Sequence, residues 1–329
     1  MLLSFSLKQF RSFSSASSSA SVMIEKSLYS LPISIKNNLG ELISINAVYQ
    51  DSIPEGSNRG ICIGLHGCPG SHIDFKYIEP LLTNSGVRFI GINYPGLGFS
   101  SYDERLKNDN FERNQFVQKI IDGLNLKNNL VFIGHSRGTE NALMAAAANQ
   151  EKTKGLILLN PIGISVHRGI RPRWRVHLLA KMWEPQQFRF ISNWLLHRIY
   201  NYLKLKVQNG EEAGVCIQNM DTVALEKQKP YIDAVNNSSI KVLLASGGKD
   251  WLIEGWISKE FMSLFRDIKV FETLTVGDEP KIIKNVLNQM DAAGTKSIGV
   301  FFINENHFLQ KFRAKLVKEF IVKCLDSKK

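Results

Sequence analysis

The sequence contains no long apolar run and few cysteines. Across its 329 residues no stretch approaches the roughly 18 apolar residues that a membrane-spanning helix needs, so we expect no such helix. The four cysteines, at positions 62, 68, 216 and 324, are scattered rather than paired as C-x-x-C. This spacing argues against a zinc site or a dithiol redox motif, and we expect reduced thiols.

Cofactor motifs are also scarce. The glycines of Gly96-Leu97-Gly98 lack the spacing and the lysine of a phosphate-binding P-loop. No cluster of His, Cys, Asp and Glu has the spacing of a metal site, so we expect neither a cofactor nor a metal. Nucleic-acid binding would rest on basic charge alone, and we do not expect that partner.

Acidic residues are absent from the first 24 residues, and the first one is Glu25. The same segment is rich in serine and carries Lys8 and Arg11, while Leu3, Leu7 and Phe10 fall on one side of a helix. This amphipathic, acid-free composition is typical of a mitochondrial transit peptide, so we predict residues 1–24 as a leader to the matrix or inner-membrane surface. The alternative is a disordered tail on a cytoplasmic protein.

Basic residues are concentrated in one segment of a chain whose formal net charge is +11. Between residues 165 and 206 there are nine Lys and Arg and a single acid, Glu184. The resulting positive potential favours an anionic substrate or peripheral contact with an anionic membrane. General basicity without a specific partner is the alternative.

Short apolar runs alternate with helical patterns from residue 60 onward. The runs are four to six residues long and do not alternate with polar residues, which is typical of strands covered on both faces of a parallel sheet. They occupy residues 61–65, 87–92, 130–133, 156–159, 242–245 and 298–303. The rhythm predicts an α/β protein with a doubly wound, mostly parallel sheet, preceded by a hairpin around residues 37–40.

Two intervals are too long for one crossover helix. We predict a helical cap at about residues 165–237, with aromatic side chains that either line a pocket or form the core of the cap. A second insertion is predicted at about residues 266–297, where helical spacing recurs. Residues 25–329 then form one domain with both insertions.

The pentapeptide Gly134-His135-Ser136-Arg137-Gly138 follows a predicted buried strand and opens an alanine-rich helix. In this strand–turn–helix context the pattern predicts a nucleophile elbow, with Ser136 raised on a sharp turn that only glycine neighbours allow. The Arg137 amide would then be an oxyanion donor at a helix N-terminus. The alternative is an ordinary helix-capping serine.

A second loop, His66-Gly67-Cys68-Pro69-Gly70, follows the first predicted parallel strand. Acyl transfer needs another oxyanion donor from this position, and Pro69 has no N–H, so the Cys68 amide is the predicted donor. The Cys68 thiol is expected to pack rather than react. We expect His66 to stabilise the loop by hydrogen bonding rather than act as a base.

These two motifs, with residues 94–100 between them, resemble the α/β-hydrolase superfamily in its serine-nucleophile branch. The resemblance is closest to a nematode family of α/β-hydrolases, and the first loop resembles the HGxPG loop of epoxide hydrolases. It spans residue 60 to the C-terminus, and it implies the chain order nucleophile, acid, histidine. Asp250 and His307 follow late apolar runs in that order and complete the implied triad with Ser136. Glu254 and Glu305 are the alternative acids.

Several residues differ from the motifs of other branches of the superfamily, and these differences argue against particular reactions. Epoxide and haloalkane hydrolases use an aspartate at the elbow, and Ser136 argues against both reactions. Asn160 removes an acid position used by some lipases, and Phe312 stands where related acyltransferases have aspartate. Arg137 could attract an anionic group, but an ion pair facing solvent or the cap is favoured.

The prediction is a serine hydrolase of carboxylic ester or thioester substrates, with catalytic Ser136, Asp250 and His307 and an oxyanion hole from the Cys68 and Arg137 amides. Two alternatives remain. One is a non-catalytic binding protein on the same fold for an anionic or lipid ligand, and the other is a peptidase or amidase.

The leader prediction can be tested separately. We expect residues 1–24 to carry a fused fluorescent reporter into mitochondria, because the segment combines an apolar side, basic residues and no acid. Confocal microscopy with a mitochondrial dye measures the outcome. A fusion with Lys8 and Arg11 replaced by glutamate should stay in the cytosol, and cytosolic wild-type fusion would contradict the prediction.

Overall fold

The computed structural model describes residues 22–274, 276–292 and 294–326, and one mixed sheet of ten strands forms the centre of this part of the chain. The strands β1 to β10, in chain order, are Val22–Glu25, Leu28–Lys36, Leu42–Asp51, Ile61–Leu65, Arg88–Ile92, Leu130–His135, Thr153–Leu159, Lys241–Gly247, Lys269–Thr273 and Ser297–Phe302. Across the sheet they follow the order β1-β2-β3-β5-β4-β6-β7-β8-β10-β9.

The sheet is parallel from β5 through to β9 in this order, while β1, β2 and β3 join antiparallel. Each of the six predicted apolar runs lies in one of the parallel strands. The β2–β3 hairpin turns at Asn37, whose side-chain oxygen accepts hydrogen bonds from the Leu39 and Glu41 amides. The prediction of a mostly parallel, doubly wound sheet is therefore confirmed.

Helices cover both faces of the sheet. In chain order, α1 to α11 are Glu79–Thr83, Asn110–Gly123, Gly138–Ala148, Arg173–Trp183, Arg189–Tyr202, Gly210–Asp221, Lys229–Asn236, Gly255–Ser263, Glu279–Asp291, Leu309–Phe312 and Ala314–Asp326. Along β6, Phe132 belongs to the apolar cluster on one face, and Val131 and Ile133 belong to the cluster on the other. Burial on both faces explains why this strand is apolar without alternation.

The interval between β7 and β8 contains α4, α5, α6 and α7, within the segment predicted as a cap. Helices α4 and α5 pack against each other and both pack on α6. Trp183 and Tyr200 are buried in this packing, so these two aromatic residues form part of the core of the cap. Other aromatic side chains of α4 and α5 remain exposed, which gives the cap a second apolar side.

Residues 266–297 contain a strand as well as the predicted helical segment. Strand β9 pairs in parallel with β10 at the edge of the sheet, and α9 follows it. The search for apolar runs did not predict β9, because this strand contains charged Lys269 and Glu272 and has no continuous apolar run. An edge strand has a single neighbour and can carry more polar side chains than a central one.

Most of the predicted leader lies outside the described residues. Its last three positions, 22–24, are described and belong to β1, which pairs with β2. The proposed boundary after residue 24 therefore falls within a strand of the sheet. Among the helices that the structure describes, none is both long and apolar enough to cross a membrane.

The C-terminal helix α11 packs its apolar stripe on the sheet, and Phe320 in this stripe is completely buried. We expect Phe320→Ala to lower the free energy of unfolding by about 3–5 kcal/mol, because it removes buried apolar area and leaves a cavity. Phe312→Ala is the control, since 41% of Phe312 is exposed, and it should change stability far less. Urea unfolding measures both; equal losses would contradict the packing of α11.

Candidate active site

Ser136 lies at the sharp turn between β6 and α3, with a φ angle of 51°. The left-handed backbone conformation is strained for a residue with a side chain. Two hydrogen bonds stabilise it: the Ser136 amide donates to Leu159 O over 3.0 Å, and Thr139 Oγ1 donates to Ser136 O over 2.6 Å. The turn thus has the geometry expected of a nucleophile elbow.

The glycines on either side of the turn are required by close backbone approach. A Cβ atom at position 138 would lie 2.1 Å from the carbonyl oxygen of Leu65. One at position 134 would lie 2.7 Å from the carbonyl oxygen of Gly138. Both distances are far below van der Waals contact, so alanine at either position would force the strand and helix apart.

His307 and Asp250 form a buried pair, with His307 Nδ1 2.6 Å from Asp250 Oδ2. Because a carboxylate only accepts, Nδ1 carries the proton and Nε2 is left as an acceptor, which is the tautomer that a general base needs. The alternative acids are engaged elsewhere, since Glu305 pairs with Arg313 and Glu254 with Arg171.

Burial alone would raise the pKa of Asp250. The positive charge that His307 carries when it is protonated, the hydrogen bond from its ring, and the N–H donors of Ile253 and Leu252 together outweigh that effect, so the pKa of Asp250 lies below its usual value. These amides bind Asp250 Oδ1 at 3.0 and 2.8 Å. The carboxylate is therefore ionised and fixed in orientation when it faces His307.

Among the described residues no hydrogen bond joins Ser136 to His307. The contact between their loops is made by His135, whose Nε2 donates to the carbonyl oxygen of His307 over 2.8 Å. The two imidazole rings have centroids 4.9 Å apart. The residue before the serine thus holds the backbone of the predicted base.

Asn160 supports the same backbone from the next strand. Its Nδ2 donates to the His307 carbonyl over 2.8 Å, and its Oδ1 accepts from the Gly247 amide over 2.8 Å. One buried amide therefore joins the end of β7 to the loops that carry Asp250 and His307. Sequence reasoning noted only that Asn160 is not an acid, because its role depends on strands distant in the chain.

The two predicted oxyanion donors flank Ser136. The loop with Cys68 approaches it closely, since a Cβ at Gly67 would lie 3.1 Å from Ser136 Cβ. Among the described groups, neither the Cys68 nor the Arg137 amide donates to a protein acceptor. Unpaired N–H groups beside a nucleophile are suited to a developing oxyanion. The Cys68 thiol points to the cap, 3.7 Å from Cys216 O.

His66 stabilises its loop as expected. Its Nδ1 donates to Gly67 O over 2.7 Å, and its Nε2 accepts from the Tyr94 amide over 3.2 Å. Burial, with the nearby Arg113 charge adding to it, lowers the pKa of His66 to about 3. A ring that is neutral and has both nitrogens occupied is not placed to act as a base.

Arg137 is completely buried rather than solvent-facing. It forms an ion pair with Glu140, and its Nε donates to Asn219 O of cap helix α6 over 3.3 Å. The ion pair favoured from the sequence is present, and its orientation is toward the cap. The side chain therefore ties the elbow to the cap while the Arg137 amide remains open.

Two aromatic side chains surround His307. The rings of Trp251 and Phe308 each have their centroid 5.7 Å from that of His307, and they lie 5.5 Å from each other. From the sequence, only the aromatic residues of the cap were candidates for lining a pocket, and these two residues were not singled out. Their positions in the sequence could have identified them, because Trp251 directly follows Asp250 and Phe308 directly follows His307. In the described residues no group of His, Cys, Asp and Glu is arranged to hold a metal.

Residues 25–326 match the model of a family described as alpha/beta hydrolase of unknown function (DUF1057). An uncharacterized protein of Caenorhabditis elegans is 31% identical over 303 residues, which cover 88% of this chain and 83% of that protein. The predicted resemblance to nematode α/β-hydrolases is thereby confirmed.

Two further likenesses are more limited. A Mycoplasma genitalium protein named as an esterase/lipase is 31% identical over 106 residues, covering 32% of this chain and 38% of that protein. The solved structure of an esterase from Exiguobacterium antarcticum has a TM-score of 0.56 at 19% identity, covering 89% of this chain and 99% of the esterase. At that identity the structural likeness shows the fold.

The neutral, buried His66 makes stability depend on pH. Its pKa is about 3 in the fold against about 6.5 when unfolded, so below pH 6.5 the unfolded chain binds the proton preferentially. The stability that His66 contributes is present above the unfolded pKa and is lost as pH falls toward 3. We expect His66→Asn to be destabilising near neutral pH, with a penalty that shrinks by up to about 1.4 kcal/mol per pH unit on acidification.

Urea unfolding of wild type and variant at several pH values between about 7 and 5 measures this difference. Only the difference between the two proteins is compared, because other groups titrate in both. A penalty that stays constant or grows on acidification would contradict a neutral buried ring.

Proposed function

The chain belongs to the α/β-hydrolase family matched by residues 25–326, and on that premise we propose that it is a serine hydrolase of carboxylic esters or thioesters. The observation that carries the proposal is the buried Asp250–His307 pair, with His307 Nε2 left as an acceptor and its loop held against the Ser136 turn. This is the arrangement that makes a serine hydroxyl nucleophilic.

In the proposed first half-reaction, Ser136 Oγ attacks the acyl carbonyl carbon while His307 Nε2 takes the hydroxyl proton. Asp250 stabilises the imidazolium, and the Cys68 and Arg137 amides donate to the oxyanion of the tetrahedral intermediate. When the intermediate collapses, the bond to the leaving alcohol or thiol breaks. His307 returns its proton to that leaving group, and Ser136 carries the acyl group as an ester.

In the second half-reaction, water attacks the acyl-serine as His307 Nε2 accepts one of its protons. Collapse of the second tetrahedral intermediate releases the carboxylic acid, and the proton passes back to Ser136 Oγ. The reaction needs Ser136 Oγ and His307 Nε2 within hydrogen-bond reach. Catalytic hydrogen bonds of this kind are often long in ligand-free enzymes and tighten when substrate binds.

Ester or thioester cleavage is favoured over related reactions by the type of nucleophile. Epoxide and haloalkane hydrolysis proceed through an alkyl ester on a carboxylate, and the elbow here carries the hydroxyl of Ser136. The Mycoplasma protein that matches part of the chain is named as an esterase/lipase, which supports the same class of substrate. The open backbone amides beside Ser136 support an intermediate with a developing oxyanion.

A fluorophosphonate probe tests the proposal directly, because it phosphonylates only an activated serine. We expect the wild-type chain to be labelled and Ser136→Ala to remain unlabelled. Asp250→Asn should slow labelling by roughly 10³-fold or more, since loss of the carboxylate leaves the wrong His307 tautomer. In-gel fluorescence over a time course gives the rates.

Ser263→Ala, at an exposed position of α8, is the matched control and should label at the wild-type rate. Absence of labelling in the wild type, or equal labelling of Ser136→Ala, would refute the proposal and favour a non-catalytic binding protein. Labelled protein that cleaves amides but neither esters nor thioesters would correct the substrate class.

A further inference from the structure

The outer face of the cap carries an unusual number of exposed apolar side chains. They belong to α4 and α5 and include aromatic residues with most of their surface in solvent: Phe190 is 87% exposed and Tyr202 is 85% exposed. We call this set the cap surface. Its members are Trp174, Leu178, Met182, Phe190, Ile191, Trp194 and Tyr202.

Each of the two helices is apolar on two sides. On α4, Trp174, Leu178 and Met182 repeat every four residues and form an outer stripe, while Ala180 and Trp183 are buried. Helix α5 repeats the pattern, with outer residues at 190, 194 and 202 and buried Leu196 and Tyr200. Packing on α6 accounts for the inner sides, but no other helix or strand among the described residues covers the outer stripes.

The outer stripes of α4 and α5 meet at the turn between the helices. Ser192 Oγ of α5 donates to Met182 O of α4 over 3.0 Å, and Trp183 Nε1 donates to Asn193 Oδ1 over 2.8 Å. These bonds hold the end of α4 beside the start of α5, next to exposed Met182 and Ile191. The cap surface therefore lies on two helices that are held in a fixed relation to each other.

Cations outnumber acids on the helices that carry this patch, and three acids in contact with these helices, Asp221, Glu104 and Glu184, are each paired with a basic side chain. Glu184 is the single acid between residues 165 and 206, and it is already paired with Lys107 and Lys181. Of the cations in the described residues there, Arg175, Arg198, Lys204 and Lys206 have no carboxylate within ion-pair distance. Within the part of the chain that the structure describes, no ion pair therefore offsets the positive potential of these four side chains.

Cations and tryptophans are adjacent in space as well as in sequence. The guanidinium carbon of Arg198 lies 4.4 Å from the ring centroid of Trp194, and that of Arg175 lies 5.3 Å from Trp174. A tryptophan ring fits the boundary between lipid headgroups and acyl chains, and a long arginine side chain reaches the phosphates above it. These arginine–tryptophan pairs therefore suit the headgroup region of a bilayer, where apolar acyl chains lie below anionic phosphates.

We propose that the cap surface docks on the surface of an anionic phospholipid bilayer. The apolar side chains enter the headgroup layer, and the arginines and lysines bind lipid phosphates. A second copy of the chain fits this patch poorly, because a symmetric contact would bring the same uncompensated cations face to face. The inference does not depend on the proposed serine hydrolase reaction.

Vesicle co-sedimentation of the full chain tests the inference, with phosphatidylcholine vesicles compared with vesicles that also contain phosphatidylglycerol. We expect binding to the anionic vesicles that weakens as salt is raised. Replacing both Arg175 and Arg198 by glutamate should lower the partition coefficient about tenfold or more. Replacing Trp174 and Trp194 by alanine should also lower it, at unchanged charge.

Two control variants match these changes. Lys281→Glu with Lys284→Glu alters net charge equally on exposed α9, and Trp256→Ala removes an exposed tryptophan of α8. Both should bind as the wild type does. Circular dichroism and urea unfolding check that every variant is folded.

Three results would overturn the inference. One is absence of binding to anionic vesicles, and another is equal binding to both vesicle types. The third is equal weakening in the cap-surface and control variants. Sedimentation velocity without lipid adds a further discrimination, because self-association abolished by the tryptophan replacements, with no vesicle binding, would assign the patch to a second copy. Loss of fluorophosphonate labelling would bear on the hydrolase proposal alone.

Discussion

One backbone carbonyl, that of His307, organises the candidate site. It accepts hydrogen bonds from His135, next to the serine, and from Asn160, at the end of β7. Asn160 also binds the Gly247 amide in the segment that leads to Asp250. A buried carbonyl with two donors is costly to displace, so the loops after four parallel strands are fixed relative to one another. The turn that carries Ser136 and the loops that carry Asp250 and His307 are joined by this arrangement.

Two buried groups beside His307 differ in charge: His135 is neutral and Asp250 is ionised. Burial lowers the pKa of His135 to about 3, and the adjacent His307 charge adds to the effect. His135 therefore stays uncharged while it binds the His307 carbonyl, and it does not compete for the Asp250 carboxylate. Asp250, by contrast, is held ionised by His307 and by backbone donors. In the proposed reaction, the negative charge that stabilises an imidazolium at His307 is therefore already in place.

The cap helices α4 and α5 carry apolar side chains on an inner side, which packs on α6, and on an outer side, which faces solvent. Its inner side chains, such as Trp183, fill space over α6, where a Cβ at Gly214 would lie 2.0 Å from the indole ring. Its outer side chains leave large rings in water among uncompensated cations. Large exposed apolar patches are typical of interaction sites, and the unpaired cations beside this one favour an anionic partner. Arg137 links this cap to the elbow through Asn219.

Local sequence determined the sheet and the sharp turn that carries Ser136. Buried parallel strands need continuous apolar runs, and the turn at Ser136 needs glycine at 134 and 138, so both are visible without coordinates. The acid was left open because three carboxylates lie near the ends of the last strands. Only the parallel pairing of β8 with β10 brings Asp250 against His307, 57 positions away in the chain. Contacts that depend on strand order and register, such as those of Asn160, leave no local pattern, and tertiary structure alone decided them.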